Sequence, residues 1–176
     1  DIFKNFTQQA TISHWRFDPL YDFEYHDPID GQLRQNFSTT ELQLESKWSP
    51  GVRVIQSEKY NNKLTIKGEN SSPVFTFRYT RGFRAILGSD LVYDKFSLNI
   101  SQTIKMGILG RGQYSFTGGY IPSTVPYPIL ENHLGNSTFL YNQNSYNLMR
   151  FFEFVSDRYV GLQYSQHFEG LGFNSI

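Results

Sequence analysis

The chain has 176 residues, with 16 Lys and Arg balancing 16 Asp and Glu, and no cysteine. That length suffices for one domain with a real core, but zero net charge and scattered basic residues argue against a nucleic-acid binder. Without thiols there is no disulfide framework and no thiolate metal or nucleophile site, and no apolar run approaches the roughly 20 residues of a spanning helix.

In chain order, the opening DIFKNFTQQATISHW lacks the basic-then-apolar layout of a signal peptide. Residues 9–17 alternate weakly through Ala10, Ile12 and Trp15, which predicts a strand. Residues 20–37 carry an Asp-Pro and an Asp-Gly and read as a turn-rich excursion. Alternation returns at 41–48, where Leu42, Leu44 and Trp48 oppose Glu41, Gln43, Glu45 and Lys47. In 73–81, Phe75, Phe77 and Tyr79 share one strand face and Thr76, Arg78 and Thr80 the other. Residues 90–105 repeat this with Phe96, Leu98 and Ile100 opposite Lys95, Ser97, Asn99 and Ser101. From 104 to 120 the same period continues, interrupted by GILGRG at 107–112, a predicted hairpin turn. The segment 121–149 breaks the rhythm and holds three of the seven prolines, whereas 158–168 alternates again through Val160, Leu162 and Tyr164. A connection as long as 121–149 inside a compact domain is usually functional or partly ordered. No repeat and no linker divides the chain, so residues 1–176 read as a single domain.

The class is therefore all-β, an antiparallel up-and-down meander, helped by a 17% aromatic content that favours pleated surfaces. Two architectures accept it. A soluble β-sandwich or β-barrel buries the apolar parity and binds a lipid or carbohydrate ligand; a transmembrane barrel turns that parity to lipid and the polar parity to its lumen. Long strands and a polar parity rich in Ser, Thr, Gly and Asn incline the reading to the membrane barrel.

The run from 125 to 170 resembles a Bacteroidetes outer-membrane family of unassigned function. The marks are Pro126-Tyr127-Pro128, Gly135-Asn136, Tyr141, Tyr146-Asn147-Leu148-Met149, the Glu153 to Tyr159 block, and His167-Phe168 followed by Gly170. Upstream, Ser72 to Phe75, Tyr79 to Gly82 and Lys95 to Ser101 match its style, so the resemblance spans about residues 40 to 176. In that family a carboxypeptidase-regulatory-like β-sandwich precedes a C-terminal barrel. The resemblance implies that this chain is part of a barrel wall with two open edges, residing in a bacterial outer membrane. Its expected partners are membrane lipid and other outer-membrane proteins, or a carried polypeptide or solute.

A looser similarity, to the surface-antigen and outer-membrane assembly barrels, implies that 121–149 folds into the lumen and is pinned to the wall. Arg-Gly-Tyr, the mark of that loop, is absent here; Gly135-Asn136 and Tyr141 stand nearest to it. The loop and anchoring set expected on this basis is Pro126, Pro128, Glu131, Gly135, Asn136, Tyr141, Asn147, Glu153, Asp157 and Arg158. Buried loop backbone needs polar partners, a task suited to Glu131, Asn136, Asn147 and Glu153.

Chemical motifs are sparse. The four histidines show no metal-ligand spacing; Glu153 and Asp157 could be paired catalytic carboxylates, but Asp157 next to Arg158 reads more simply as a lumen charge pair or a turn device. There is no Gly-x-Ser-x-Gly elbow and GILGRG lacks the Lys of a phosphate loop. Five Asn-x-Ser/Thr sequons, at Asn5, Asn36, Asn70, Asn99 and Asn136, are incidental in a bacterial protein. The expectation is a non-enzymatic barrel without cofactor, with a scaffold, transport or protein-insertion role. Arg78, Lys95, Arg111 and Glu153 would line its lumen.

Overall fold

The computed structural model describes residues 5–27, 30–51, 54–55, 66–67, 72–133 and 154–168. Six long strands carry the period-two pattern: β1 (Phe6–Phe17), β2 (Phe37–Trp48), β3 (Val74–Phe83), β4 (Tyr93–Lys105), β5 (Arg111–Tyr120) and β6 (Arg158–His167). They form one sheet in chain order, every neighbour antiparallel, which is an up-and-down meander. The sheet is open, with β1 and β6 at its two edges. All-β antiparallel architecture is thus as expected, an open meander consistent with part of a barrel. The predicted GILGRG hairpin turn is present: a 3-10 turn at Gly107–Leu109 joins β4 to β5, with Gly107 and Gly110 at φ 60° and 82°, values that favour glycine.

Because the register is unbroken, each parity runs as rows across the whole sheet. One row is Ala10, Leu44, Tyr79, Phe96, Tyr120 and Arg158; the next is Gln8, Ser46, Phe77, Leu98, Gly118 and Val160; a third is Phe6, Trp48, Phe75, Ile100, Phe116 and Leu162. This face stays open. Phe77, Phe96, Leu98, Ile104 and Phe116 are each more than a third exposed, and Ile12, Val160 and Leu162 about three quarters. Among the described residues no element packs across it. Leaving such side chains in water forgoes about 1.5 to 3 kcal/mol for each Val, Leu, Ile or Phe.

The opposite parity is polar: Glu41, Gln43 and Glu45 on β2, Arg78 and Thr80 on β3, Lys95, Ser97 and Asn99 on β4. Arg78 pairs with Glu45 at 2.6 Å and Asn99 Nδ2 donates to Ser115 Oγ at 3.1 Å. Only at one end does this face become apolar. There Tyr25, Phe37, Leu91, Tyr93 and Ile129 form the buried cluster, with Phe17, Phe23 and Val125 against it. Among the described residues the buried hydrophobic side chains are these five and Ile121, with Pro126 buried near them. Large apolar side chains of the strands stand on the open face instead.

Candidate functional site

The polar face holds a cavity of about 180 Å³ near the end where β3 and β5 finish and β4 and β6 begin. Glu41, Arg78, Lys95, Glu131, Asp157 and Tyr159 line it. Sheet parity brings the first three together, since Glu41, Arg78 and Lys95 stand at inward positions of three successive strands. Glu131 and Asp157 arrive from the β5–β6 connection, which folds back over the same face.

That connection is tied down at several points. Ile121 N–H donates to the Asp157 carbonyl at 2.6 Å, Asp94 N–H to Ser123 Oγ at 3.2 Å, and Lys95 Nζ to the Ile129 carbonyl at 3.0 Å. Glu131 and Asn132 pair as a short strand with Ser156 and Val155. His133 Nε2 lies 2.8 Å from Ser156 Oγ, and its ring meets Tyr159 edge-on with centroids 4.9 Å apart. The Tyr159 ring in turn covers Gly119, where any Cβ would overlap it. Tyr93 covers Gly82 in the same way. Its hydroxyl donates to Glu41 and lies 3.0 Å from Thr39 Oγ1, which donates back to it. Glycine in a strand interior often marks such a close approach.

Of the loop and anchoring residues expected from sequence, Pro126 is buried and its carbonyl accepts from Ile129 N–H at 2.9 Å, opening the 3-10 turn Tyr127–Ile129 that contains Pro128. Glu131 and Asp157 reach the cavity together. Arg158 does not: its position shares the row of Tyr120 on the apolar face, and its Nε lies 3.9 Å from Asp157 Oδ1 with both side chains mostly exposed. The Asp157–Arg158 pair is therefore not a charge pair of the polar face, because consecutive residues at a strand start point to opposite sides. Gly135, Asn136, Tyr141, Asn147 and Glu153 lie outside the described residues. Lys95, expected as a lining charge, also anchors the loop backbone, a role sequence reasoning assigned to acidic and amide side chains. Arg111 sits on the polar parity at the far end, opposite Lys105 and His167.

A second polar cluster went unread in the sequence. Arg34, in the β1–β2 connection, reaches Asp30 at 2.7 Å, Asp90 at 2.6 Å and Asp27 at 3.4 Å; Arg84 reaches Asp27 at 3.4 Å and Asp30 at 3.7 Å. The Gln32 backbone N–H first, and then Arg34, hold the Asp30 carboxyl below the usual carboxylate range. Burial pushes the neighbouring Tyr25 hydroxyl pKa up. No group of three or more His, Cys, Asp or Glu among the described residues is arranged to hold a metal ion.

Against known proteins, residues 5–176 match the C-terminal domain of a family of unknown function, DUF5686. The chain belongs to that family. The match reaches back through β1, some 35 residues before the point where the sequence resemblance began. Neither the curated proteins nor the solved structures contain a match.

Proposed function

We propose that this DUF5686 C-terminal domain is a wall segment of a bacterial outer-membrane β-barrel, non-enzymatic, with a scaffold, transport or protein-insertion role. The observation that carries the reading is the open apolar face. Its rows through Phe77 and Phe75 contain no charged residue, and stacked aromatic pairs stand in the rows on either side of Phe77, Tyr79 on Phe96 at 5.0 Å and Trp48 on Phe75 at 5.4 Å. Beyond Tyr79 the face turns ionic at Arg81 and Asp94, and Arg158 ends Tyr79's own row at the β6 edge; beyond Phe75 it turns to Gln102, Tyr114 and Tyr164. Eight residues separate Asp94 from Gln102 along β4, about 26 Å of strand. Tilted by about 40°, that reach covers about 20 Å of an apolar band about 25 Å tall flanked by aromatic girdles, which puts Asp94 to Gln102 at the short end of the roughly 9 to 11 residues of a spanning strand.

On this reading lipid is the partner of the apolar face, and the polar face looks into a lumen shared with strands beyond this domain. Arg78, Lys95, Glu41 and Glu131 then set the electrostatics of the passage, by steric and charge selection rather than by chemistry. The outer-membrane location and the distant kinship with surface-antigen and assembly barrels are part of the same proposal.

One observation favours a second reading, a water-soluble β-domain that binds a lipid or sugar: an open hollow of about 390 Å³ on the apolar face, lined by Leu44, Phe77, Tyr79 and Phe96. Fractionating native cells and running the detergent-extracted full-length protein with and without boiling separates the two. Sedimentation with outer membrane and a mobility shift on boiling support the barrel; a soluble protein whose mobility ignores boiling supports the ligand-binding domain.

A further inference from the structure

We infer that the three connections at one end of the sheet form a latched plug that closes that mouth of the barrel, with Arg34 and Asp90 as the latch. The inference rests on the barrel reading. It starts from a mismatch of face and content: the positions of Phe17, Phe37 and Tyr93 share the parity of Glu41 and Lys95, so these rings stand on the polar side of the sheet. Aromatic side chains on a lumen wall stay there only if something covers them.

All three connections supply the cover. Phe23 and Tyr25 come from the β1–β2 connection, Leu91 from the β3–β4 connection, Val125 and Ile129 from the β5–β6 connection. Phe37 is the centre, stacked on Phe17 at 4.7 Å and met edge-on by Tyr25 at 5.5 Å. Phe37 and Tyr93 are at most 2% exposed, in a protein whose apolar side chains are otherwise mostly open.

What holds the cover shut is ionic. Arg34 bridges Asp30 of its own connection to Asp90 of the next, and Arg84 ties the β3–β4 connection back to Asp27. Asp90 is also accepted into the wall, since its Oδ2 takes the Ser38 N–H at 2.8 Å and its own N–H donates to the Ser38 carbonyl at 2.9 Å. The β5–β6 connection is held separately, by Lys95 and by the Asp94 backbone. Parting the first two connections therefore breaks the Arg34–Asp90, Arg84–Asp27 and Arg84–Asp30 contacts and opens the cluster between Tyr25 and Leu91, while the wall and the third connection stay in place. Two arrangements of one set of loops, separated by a few charge-assisted contacts, are what a gate requires.

The test uses the full-length protein extracted from membranes and reconstituted in planar bilayers, reading ionic conductance. Arg34→Ala removes the bridge; Asp90→Asn is the milder change, keeping an oxygen for Ser38 N–H while discarding the charge; Phe23→Ala thins the plug without touching the latch. Each is expected to raise the open fraction about tenfold over the unmodified protein, the arithmetic of losing one such contact. The mobility shift on boiling is recorded for every variant. Shifting variants that conduct no more than the unmodified protein, or an unmodified protein already as conductive as Arg34→Ala, overturn the latch alone. An unmodified protein that does not shift on boiling overturns the barrel reading, and the latch with it.

Discussion

The ring of Tyr159 covers Gly119, its partner across the β5–β6 ladder, and meets the His133 ring in a T-shaped contact with centroids 4.9 Å apart. This stack couples the wall to the connection that crosses it. Adding a methyl group, Gly119→Ala, drives the ring off the sheet and costs about 1 to 3 kcal/mol, as overpacking does. Gly118 is the control. It faces the apolar side, where a Cβ would meet nothing nearer than the Tyr159 carbonyl at 3.6 Å, so Gly118→Ala is tolerated. The temperature at which the folded, fast-migrating gel band is lost measures both; equal losses would contradict the stack.

Two buried tyrosines should respond oppositely to loss of the hydroxyl. Tyr93 donates to Glu41, so Tyr93→Phe leaves a carboxylate short of a partner and costs about 1.5 to 3 kcal/mol. The Tyr25 hydroxyl is buried with no protein partner among the described residues, so Tyr25→Phe removes a polar burden and leaves stability equal or higher. The same gel midpoint reports the difference, and a larger loss for Tyr25→Phe than for Tyr93→Phe would refute it.

The Asp30 carboxyl gives the fold a defined pH response. Asp30 faces Arg34 and Arg84 with Asp27 beside it, and its pKa is lowered by folding. A carboxyl depressed in the folded state stabilises the fold above its unfolded value, about 4, and loses that contribution as pH falls through the lower folded value. The midpoint at which the folded gel band is lost is therefore expected to be flat from pH 8 to pH 5 and to fall only in stronger acid. A fall between pH 7 and pH 6 would point to a histidine rather than this carboxyl.

Positions of opposite parity on the adjacent strands β3 and β4 should differ sharply in their tolerance of charge. Leu98→Arg puts a guanidinium in the middle of the apolar band and is expected to cost about 2 to 4 kcal/mol of membrane stability. Arg78→Gln, on the polar parity, leaves assembly intact because the Glu45 pair it breaks is partly exposed and worth little. Yields of heat-shifting protein in the membrane fraction compare the two, and equal yields would argue against opposite environments.

The strands were legible because their alternation is long and unbroken. Where side chains depart from that rhythm the ends were misjudged: β2 begins at Phe37 rather than Glu41, since Phe37 and Thr39 are buried beneath the plug and do not look like a polar face. β3 runs to Phe83, past Gly82, which Tyr93 covers. The short hairpin pairing Val54–Ile55 with Ile66–Lys67 had no pattern strong enough to announce it. At the site, Glu131 and Asp157 could be named because one long proline-bearing connection carries both. The Arg34–Asp90 bridge could not, since its partners are 56 residues apart and meet only through the meander. Gly82 and Gly119 did leave a signal, glycine at an inward strand position with an aromatic available across the ladder.

The most direct test of the central claim is a pair of single cysteines, Ser97→Cys and Leu98→Cys, in a domain with no cysteine of its own. Each carries an environment-sensitive fluorophore in the full-length protein reconstituted in lipid vesicles. If the open apolar face meets lipid, the probe at 98 is quenched by a lipid-borne quencher and ignores iodide, while the probe at 97 does the reverse. If both are quenched by iodide and neither by the lipid-borne agent, the sheet is not a membrane wall.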